Sequence, residues 1–315
     1  MNRTFAGLDL GGTKLAAAAF AENGEILRRE AIQLGGRAGA DVGRLIVDTV
    51  SKLITQFHCA ATGVCVPGLY RSAAGTVWAP NIPGWDDYPL LEELRASVPP
   101  SHRVAIDSDR AAYILGETWM GSAHGVDNAI YIAVGTGIGA GILVDGRIVR
   151  GHGDVAGAIG WLALDRPFAP RFKQHGCFED QASGPGLVRV ARDLIAEDEN
   201  YRGPLLMNDL STTMIFEAHE AGDSIALKVI DNAIELWGMA AGNLVSIFNP
   251  EVIAFGGGIF GPAVHFLDRI RNEAKKWAQP IAIEQVRFTA STTGGDAGLL
   301  GAGRLAMQAY GGIFE

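Results

Sequence analysis

Cysteine is scarce in this sequence: three residues in 315, at positions 59, 65 and 177. So sparse and odd a set does not build a disulfide framework and suits a reducing cytosol. Cys59 and Cys65 lie in and beside an apolar strand pattern, which reads as buried small hydrophobes. A basic excess is lacking too. Lys and Arg total 26 against 35 Asp and Glu, a formal net charge of −9 and a pI of about 5.3. That removes the bulk-basic footprint of a nucleic-acid binder, although a local patch stays open. No hydrophobic run has the character of a membrane span. The longest uncharged stretch, Asn128 to Val144, carries four glycines and dense β-branched residues, as buried strands around a loop do. The N-terminus holds one Arg and a short apolar segment broken by Asp9, unlike a secretory signal. Low-complexity segments and long linkers are absent. These exclusions predict a soluble, cytoplasmic protein with neither a nucleic acid nor a membrane as partner.

What is present is globular. The chain is 48% hydrophobic and 19% charged with 13 prolines, and its length allows roughly two domains. The most informative run is Asp9-Leu10-Gly11-Gly12-Thr13-Lys14, set between the apolar segments Phe5–Leu8 and Leu15–Phe20. It reads as strand, tight turn, strand. Adjacent glycines let a backbone approach a ligand closely, and their N–H groups can converge on a phosphate. Asp9 can hold a metal directly or through water, and Lys14 adds positive charge. A plain hairpin with a Gly-Gly turn accounts for the same residues.

The first part alternates strand and helix patterns. Strands are expected at 4–8, 15–20, 26–33, 62–66 and 103–106. A helix is expected over 42–57, where Leu45, Ile46, Val50, Leu53, Ile54 and Phe57 fall near helical spacing. A second helix, 110–119, follows Asp109 as its expected N-cap. The order then restarts. Two strands, 130–134 and 138–144, flank Gly135-Thr136-Gly137, and Asp145-Gly146 marks a turn into a third strand at 147–149. Helical stretches follow, notably 224–248, which ends at Asn249-Pro250. A buried strand at 252–255 closes on Gly256-Gly257-Gly258, and the chain ends in a helix over 297–309. Each half therefore opens with a hairpin whose turn is rich in Gly and Thr. Four glycine-rich stations result, at 11–12, 135–141, 256–258 and 294–298, each at a strand end or helix start. Nucleotide binding is a natural function of such loops.

Eight ordered segments carry a specific resemblance. They are DLGGTK (9–14), PNIPGW (80–85), PLLEEL (89–94), DSDRAAYILGE (107–117), VGTGIGAGILVDGRIVRG (134–151), GCFEDQASG (176–184), FGGGIF (255–260) and GDAGLLGAGRLA (295–306). Together they cover almost the whole chain, which resembles the ROK family of sugar kinases and repressors in the sugar-kinase, actin and heat-shock-protein superfamily. With no helix-turn-helix segment ahead of Asp9, the kinase branch is expected.

The resemblance implies an α/β, two-domain ribonuclease H-like (actin-like ATPase) fold with a nucleotide and substrate cleft between the domains. The expected division is 1–117 plus 299–315 for the N-terminal domain and 118–298 for the C-terminal one. ATP and Mg²⁺ are the implied cofactors. The family's N-D-A-N-A-A segment reads here Ser108-Asp109-Arg110-Ala111-Ala112-Tyr113, which makes Asp109 the implied catalytic base. A carboxylate there can take the proton of a primary hydroxyl as the γ-phosphoryl group arrives. Asp9 would orient Mg²⁺ through water. Gly11, Gly12, Thr13 and Lys14, with Gly135, Thr136 and Gly137, would face the phosphates, and Gly257 and Gly258 the adenosine. Ser108, Asp109, Asn81, Trp161 and Glu179 are the implied substrate contacts, and a homodimer is the implied assembly.

The departures from the family concern the acceptor. Its G-E-I-G-H segment is Gly157-Ala158-Ile159-Gly160-Trp161 here, so the Glu and His that contact the sugar are gone. The family's zinc cysteines are reduced to Cys177. His175 and Cys177, even with His152, are too few for a site of about four ligands, so no zinc is expected. Ser108 stands where the family has Asn and offers less reach and donor capacity. Trp161 reads either as a ring stacking on a sugar face or as a filler of the former zinc region. Glucose therefore does not carry over directly. Another hexose, an amino sugar or a cyclitol fits, as does a non-catalytic sugar sensor of kinase descent, and polyphosphate stays open as phosphoryl donor.

Overall fold

A computed structural model of the chain describes residues 3–312, so positions 1–2 and 313–315 of the expected N-terminal domain lie outside the described residues. The chain opens with β1 (Thr4–Leu10), β2 (Lys14–Ala21) and β3 (Ile26–Gln33), followed by α1 (Ala40–Phe57) and β4 (Ala61–Val66). A small ribbon of β5 (Leu69–Arg71) and β6 (Thr76–Trp78), then α2 (Leu90–Ser97), lead to β7 (Arg103–Ser108) and α3 (Asp109–Met120). The pattern then repeats with β8 (Ala129–Val134), β9 (Ile138–Val144) and β10 (Arg147–Ile148). Helices α4 (Phe172–His175), α5 (Cys177–Ala182), α6 (Gly184–Glu197), α7 (Thr212–Glu220) and α8 (Ser224–Phe248) precede β11 (Val252–Gly256). After α9 (Leu267–Trp277), α10 (Pro280–Gln285) and β12 (Arg287–Ala290), α11 (Ala297–Tyr310) closes the described chain.

The two sheets share one plan. Their orders are β3-β2-β1-β4-β7 and β10-β9-β8-β11-β12. In the first, β1–β2 and β2–β3 are antiparallel while β1–β4 and β4–β7 are parallel. In the second, β9–β10 is antiparallel while β8–β11 and β11–β12 are parallel. The duplicated hairpin expected from sequence is thus a duplicated sheet. The chain divides into two compact units. One is Met1–Asp127, Gly141–Ala156 and Thr292–Glu315; the other is Asn128–Ala140 and Gly157–Ser291. Among the described residues no helix is long and apolar enough to cross a membrane.

Local chemistry explains the elements of the first unit. All six residues of β4 are buried, the continuous apolar run of a parallel strand covered on both faces. The edge strand β3 instead carries Arg28, Arg29 and Glu30, which discourage further strand pairing. Helix α1 turns Val42, Ile46, Val50 and Leu53 into the core at helical spacing. Two details differ from the sequence expectation. The N-cap of α3 is Ser108, whose hydroxyl accepts from the Ala111 N–H at 3.4 Å; Asp109 is the first helical residue. A hydroxyl one position earlier reaches the Ala111 N–H, while Asp109 Oδ1 accepts from the Arg110 N–H at 2.8 Å. Helix α3 also ends at Met120, one residue beyond the expected 119, with Gly116 in its interior as expected. A Cβ on Gly116 would stand 2.5 Å from the Ala297 carbonyl oxygen, so the glycine serves close packing on α11.

That packing is the tightest feature of the first unit. Helix α11 lies on β1, β4 and α3 through Gly298, Gly301, Ala302 and Gly303. A Cβ on Gly301 would stand 1.9 Å from the Ala112 carbonyl oxygen, and one on Gly63 only 2.0 Å from that of Ala302. Both neighbours are backbone and cannot swing aside. Gly301→Ala is expected to destabilise the protein by about 1–3 kcal/mol, the usual cost of overpacking. Thermal denaturation of the variant checks this; an unchanged melting temperature would show that the helix can move away.

Candidate active site

Parallel strands β1, β4 and β7 bring three residues into register. Asp9 pairs with Cys65, and Cys65 with Asp107. Asp109 follows two residues after Asp107, at the N-terminus of α3. The row is electrostatically strained. Burial raises the Asp9 carboxyl above its ordinary value, only partly offset by a hydrogen bond from the Cys65 thiol and the charge of Lys14. Burial likewise lifts Asp109 to about 6, against the opposing charge of Arg110 and the Arg110 N–H donated to its Oδ1 at 2.8 Å, with Asp9 adding to the rise. Burial and then the three carboxylates push the Cys65 thiol well up, so it stays protonated beneath them.

Asp107 differs from its neighbours in having a cation. Arg150 donates to its Oδ2 from Nε at 2.9 Å and from Nη2, and the Ser108 N–H donates to Oδ1 at 2.8 Å. Burial still holds its carboxyl above the ordinary value despite Arg150.

The β1–β2 turn stands beside this row. The Gly11 N–H donates to the Lys14 carbonyl at 2.9 Å, and Gly12, Thr13 and Lys14 are exposed. Asn81 Nδ2 lies 3.0 Å from the place a Gly12 Cβ would take, so the PNIPGW loop covers one side of the turn. At the start of α11, a Cβ on Gly298 would stand 2.5 Å from Asp9 Oδ2. That glycine leaves room for the Asp9 carboxylate.

In the other unit the second turn is built alike. The Gly135 N–H donates to the Gly137 carbonyl at 2.9 Å, and Thr136 and Gly137 are exposed. Gly257 has φ 88° and a Cβ there would meet the Val134 carbonyl oxygen at 2.4 Å, so only glycine fits. Gly258 beside it is exposed, and nothing lies within 4 Å of its Cβ position. Glu179 on α5 ties the turn down: its Oε2 accepts from the Ile138 N–H at 2.7 Å and lies 3.0 Å from the Cβ position of Gly160. Its Oε1 accepts no hydrogen bond among the described residues. Trp161 is 56% exposed, which overturns the core-filling reading of this side chain. The loop after the short turn Ile159–Trp161 is largely exposed. Of the residues weighed for zinc, Cys177 is buried while His152 and His175 are exposed.

Asp9, Gly11, Gly12, Thr13, Lys14, Asn81, Ser108 and Asp109 thus gather at one edge of the first sheet. Gly135, Thr136, Gly137, Gly257, Gly258 and Glu179 gather in the second unit, with Trp161 on its surface. Sequence reasoning reached Cys65 only as a buried small hydrophobe and Gly298 only as part of a glycine-rich station, and it missed the Asp107–Arg150 pair. Strand register places the first, close helix packing the second, and a contact across 43 positions the third.

Comparison with known proteins decides the family. The profile described as "ROK family" matches residues 5–309. The chain belongs to the ROK family. A glucokinase of Halalkalibacterium halodurans is 32% identical, over 98% of this chain and 96% of the relative. Among solved structures, a ROK hexokinase from Thermus thermophilus superposes with a TM-score of 0.80 at 28% identity, covering 96% of this chain and 98% of that one. A ROK glucokinase from Streptomyces griseus, in complex with glucose and AMPPNP, gives a TM-score of 0.72 at 28% identity, covering 97% and 99%. The fold of this ROK chain is that of these sugar kinases, the actin-like ATPase fold.

The residues suit Mg²⁺ with a polyphosphate. Asp9 is a hard oxygen donor at the end of β1 whose carboxyl is raised by burial, an effect the charge of Lys14 offsets only in part. Mg²⁺ takes one or two carboxylates and completes its shell with phosphate oxygens and water. Exposed glycine turns of this kind can present backbone N–H groups to a phosphate.

Proposed function

We propose that this ROK chain transfers the γ-phosphoryl group of ATP to a primary hydroxyl of a hexose or sugar-like polyol, with Asp109 as general base. Its class is ATP-dependent carbohydrate kinase, the class of its glucokinase and hexokinase relatives. One observation carries the reading of the base. Asp109 is a buried carboxylate at a helix N-terminus whose N-cap is Ser108; its Oδ1 accepts from the Arg110 N–H, and burial lifts it to about 6. A base near the working pH accepts a proton better than an ordinary carboxylate while staying mostly ionised.

The acceptor hydroxyl donates its proton to Asp109 as its oxygen bonds to phosphorus and the bond to the leaving ADP oxygen breaks. Mg²⁺, when bound, neutralises charge on the phosphates. Asp9 would hold it through water, with the Cys65 thiol and the Gly298 backbone keeping that carboxylate in place. Gly11, Gly12, Thr13 and Lys14 would take the β- and γ-phosphates, as would Gly135, Thr136 and Gly137. Gly257 and Gly258 would lie along the adenosine. Ser108, Asn81 and Glu179 would hold sugar hydroxyls, Glu179 through the oxygen that Ile138 leaves free. The exposed Trp161 ring suits stacking on the apolar face of a sugar.

Ala158 and Trp161 remove two polar contacts from the family's sugar site, which favours an acceptor other than glucose. An amino sugar or a cyclitol is the alternative. A site that hydrogen-bonds a hydroxyl discriminates strongly against a ligand that leaves its groups unpaired. The test is ADP release over a panel of hexoses, amino sugars and cyclitols, with ATP and with polyphosphate as donor. One class of acceptor is expected to stimulate ADP release. Tight sugar binding with no turnover for any acceptor or donor would instead establish a sugar sensor.

A further inference from the structure

A cavity of about 500 Å³ lies in the first unit between α3, α11 and the β9–β10 turn. Thr118, Asp127, Asp145, Arg147, Arg304 and Gln308 contribute its polar lining. Arg304 and Gln308 are four residues apart on α11 and so share one face. Gln308 is only 7% exposed, yet its amide makes no hydrogen bond among the described residues. The guanidinium of Arg304 is half-buried and likewise forms no hydrogen bond or ion pair there. Burial lowers its proton affinity, and the charge of Asp127 only partly restores it. Arg147 also has an uncommitted guanidinium, while Asp127 and Asp145 each have partners of their own. The cavity therefore offers unused donors: the exposed guanidinium of Arg147, the half-buried one of Arg304 and the amide of the nearly buried Gln308.

Among the described residues only Glu30 Oε1 is a fully buried side-chain polar atom without a partner, so the donors of Arg304 and Gln308 open onto the cavity, where a ligand can take them. Guanidinium forks match oxyanions. The volume is that of a small-molecule site and exceeds what a bare anion fills. We propose that this cavity binds a small phosphate ester of a polyol, with the phosphate on Arg304 and Arg147 and a hydroxyl on Gln308. The site is separate from the glycine turns and does not depend on the kinase reading: it stands even if no sugar is phosphorylated.

Isothermal titration of the full chain with glucose 6-phosphate, inorganic phosphate and glucose tests it. Glucose 6-phosphate is expected to show a class of sites that weakens at least tenfold in Arg304→Met and in Gln308→Leu, with AMPPNP affinity unchanged. Without ligand, Arg304→Met is expected to melt at or above the wild-type temperature, because it removes a desolvated cation and keeps the apolar stem. Unchanged glucose 6-phosphate binding in both variants overturns the proposal, since binding at the glycine turns would be untouched by them. Inorganic phosphate or glucose binding this class as tightly as the ester overturns the ligand assignment. A lowered melting temperature in Arg304→Met, with ligand binding kept, assigns the arginine to structure alone.

Discussion

Asp109→Asn is expected to lower kcat by a factor of about 10²–10⁴, the usual contribution of a general base, while making the folded protein more stable at neutral pH. Asparagine keeps the shape of the side chain and can still accept the Arg110 N–H at Oδ1, so the start of α3 is preserved. It cannot take a proton from the acceptor. The stability gain follows from the sign of the shift. Burial raises the carboxyl from 3.8 to about 6, so the folded state binds the proton more tightly than the unfolded one. Stability from this group is then greatest below pH 3.8 and is lost as pH rises through about 6. At pH 7 the ionised, buried carboxylate costs on the order of 1–3 kcal/mol, which the amide removes. Wild-type kcat/KM should fall on the acid side with an inflection near 6, since that ratio reports the free enzyme. Turnover within tenfold of wild type in Asp109→Asn would remove Asp109 as the base. Lost turnover with a lowered melting temperature would mark a structural defect.

Arg150→Ala should be the most destabilising of the single changes considered for this site, by about 3 kcal/mol, because it strands a buried charge. Asp107 is buried on the strand beside Cys65, and Arg150 supplies the only side-chain donors it has among the described residues. Without Arg150 its carboxyl, already raised by burial, would rise further and favour the protonated form. The defect should therefore be small in acid and grow as pH rises. Adding Asp107→Asn should restore much of the stability, because the stranded charge is then gone. Melting curves of both single variants and the double variant across pH form the required cycle. A double variant no more stable than Arg150→Ala would show that the arginine acts through something other than Asp107. Asp107 stands two residues before Asp109 with the capping Ser108 between them, so the same change should also lower turnover.

Much of this was legible in the sequence because it is local. The continuous apolar runs flanking Gly11-Gly12-Thr13 and Gly135-Thr136-Gly137 specify hairpins, and the structure has both. The long apolar helix ending at Asn249-Pro250 stops where expected, with Asn249 in the left-handed conformation. The strand β12 escaped notice because four residues that are not fully buried carry too short a pattern to separate from a loop. The cap of α3 was misplaced by one residue because Ser and Asp both cap helices, and only geometry chooses between adjacent candidates. Trp161 was ambiguous because an aromatic residue suits a core and a ligand face equally well. Its surroundings, not its type, leave it exposed.

The sequence by itself determined the duplicated α/β plan, the glycine turns, the family and the identity of the candidate base, since each rests on short motifs that are local in the chain and on their order along it. The tertiary structure decided the electrostatics. Pairing of β1, β4 and β7 lines up Asp9, Cys65 and Asp107, and burial then lifts Asp9 and Asp109 while Arg150 is spent on Asp107. Proton affinity depends on the distance to other charges and to water. Those distances span tens to hundreds of residues along the chain and come into being only when it folds.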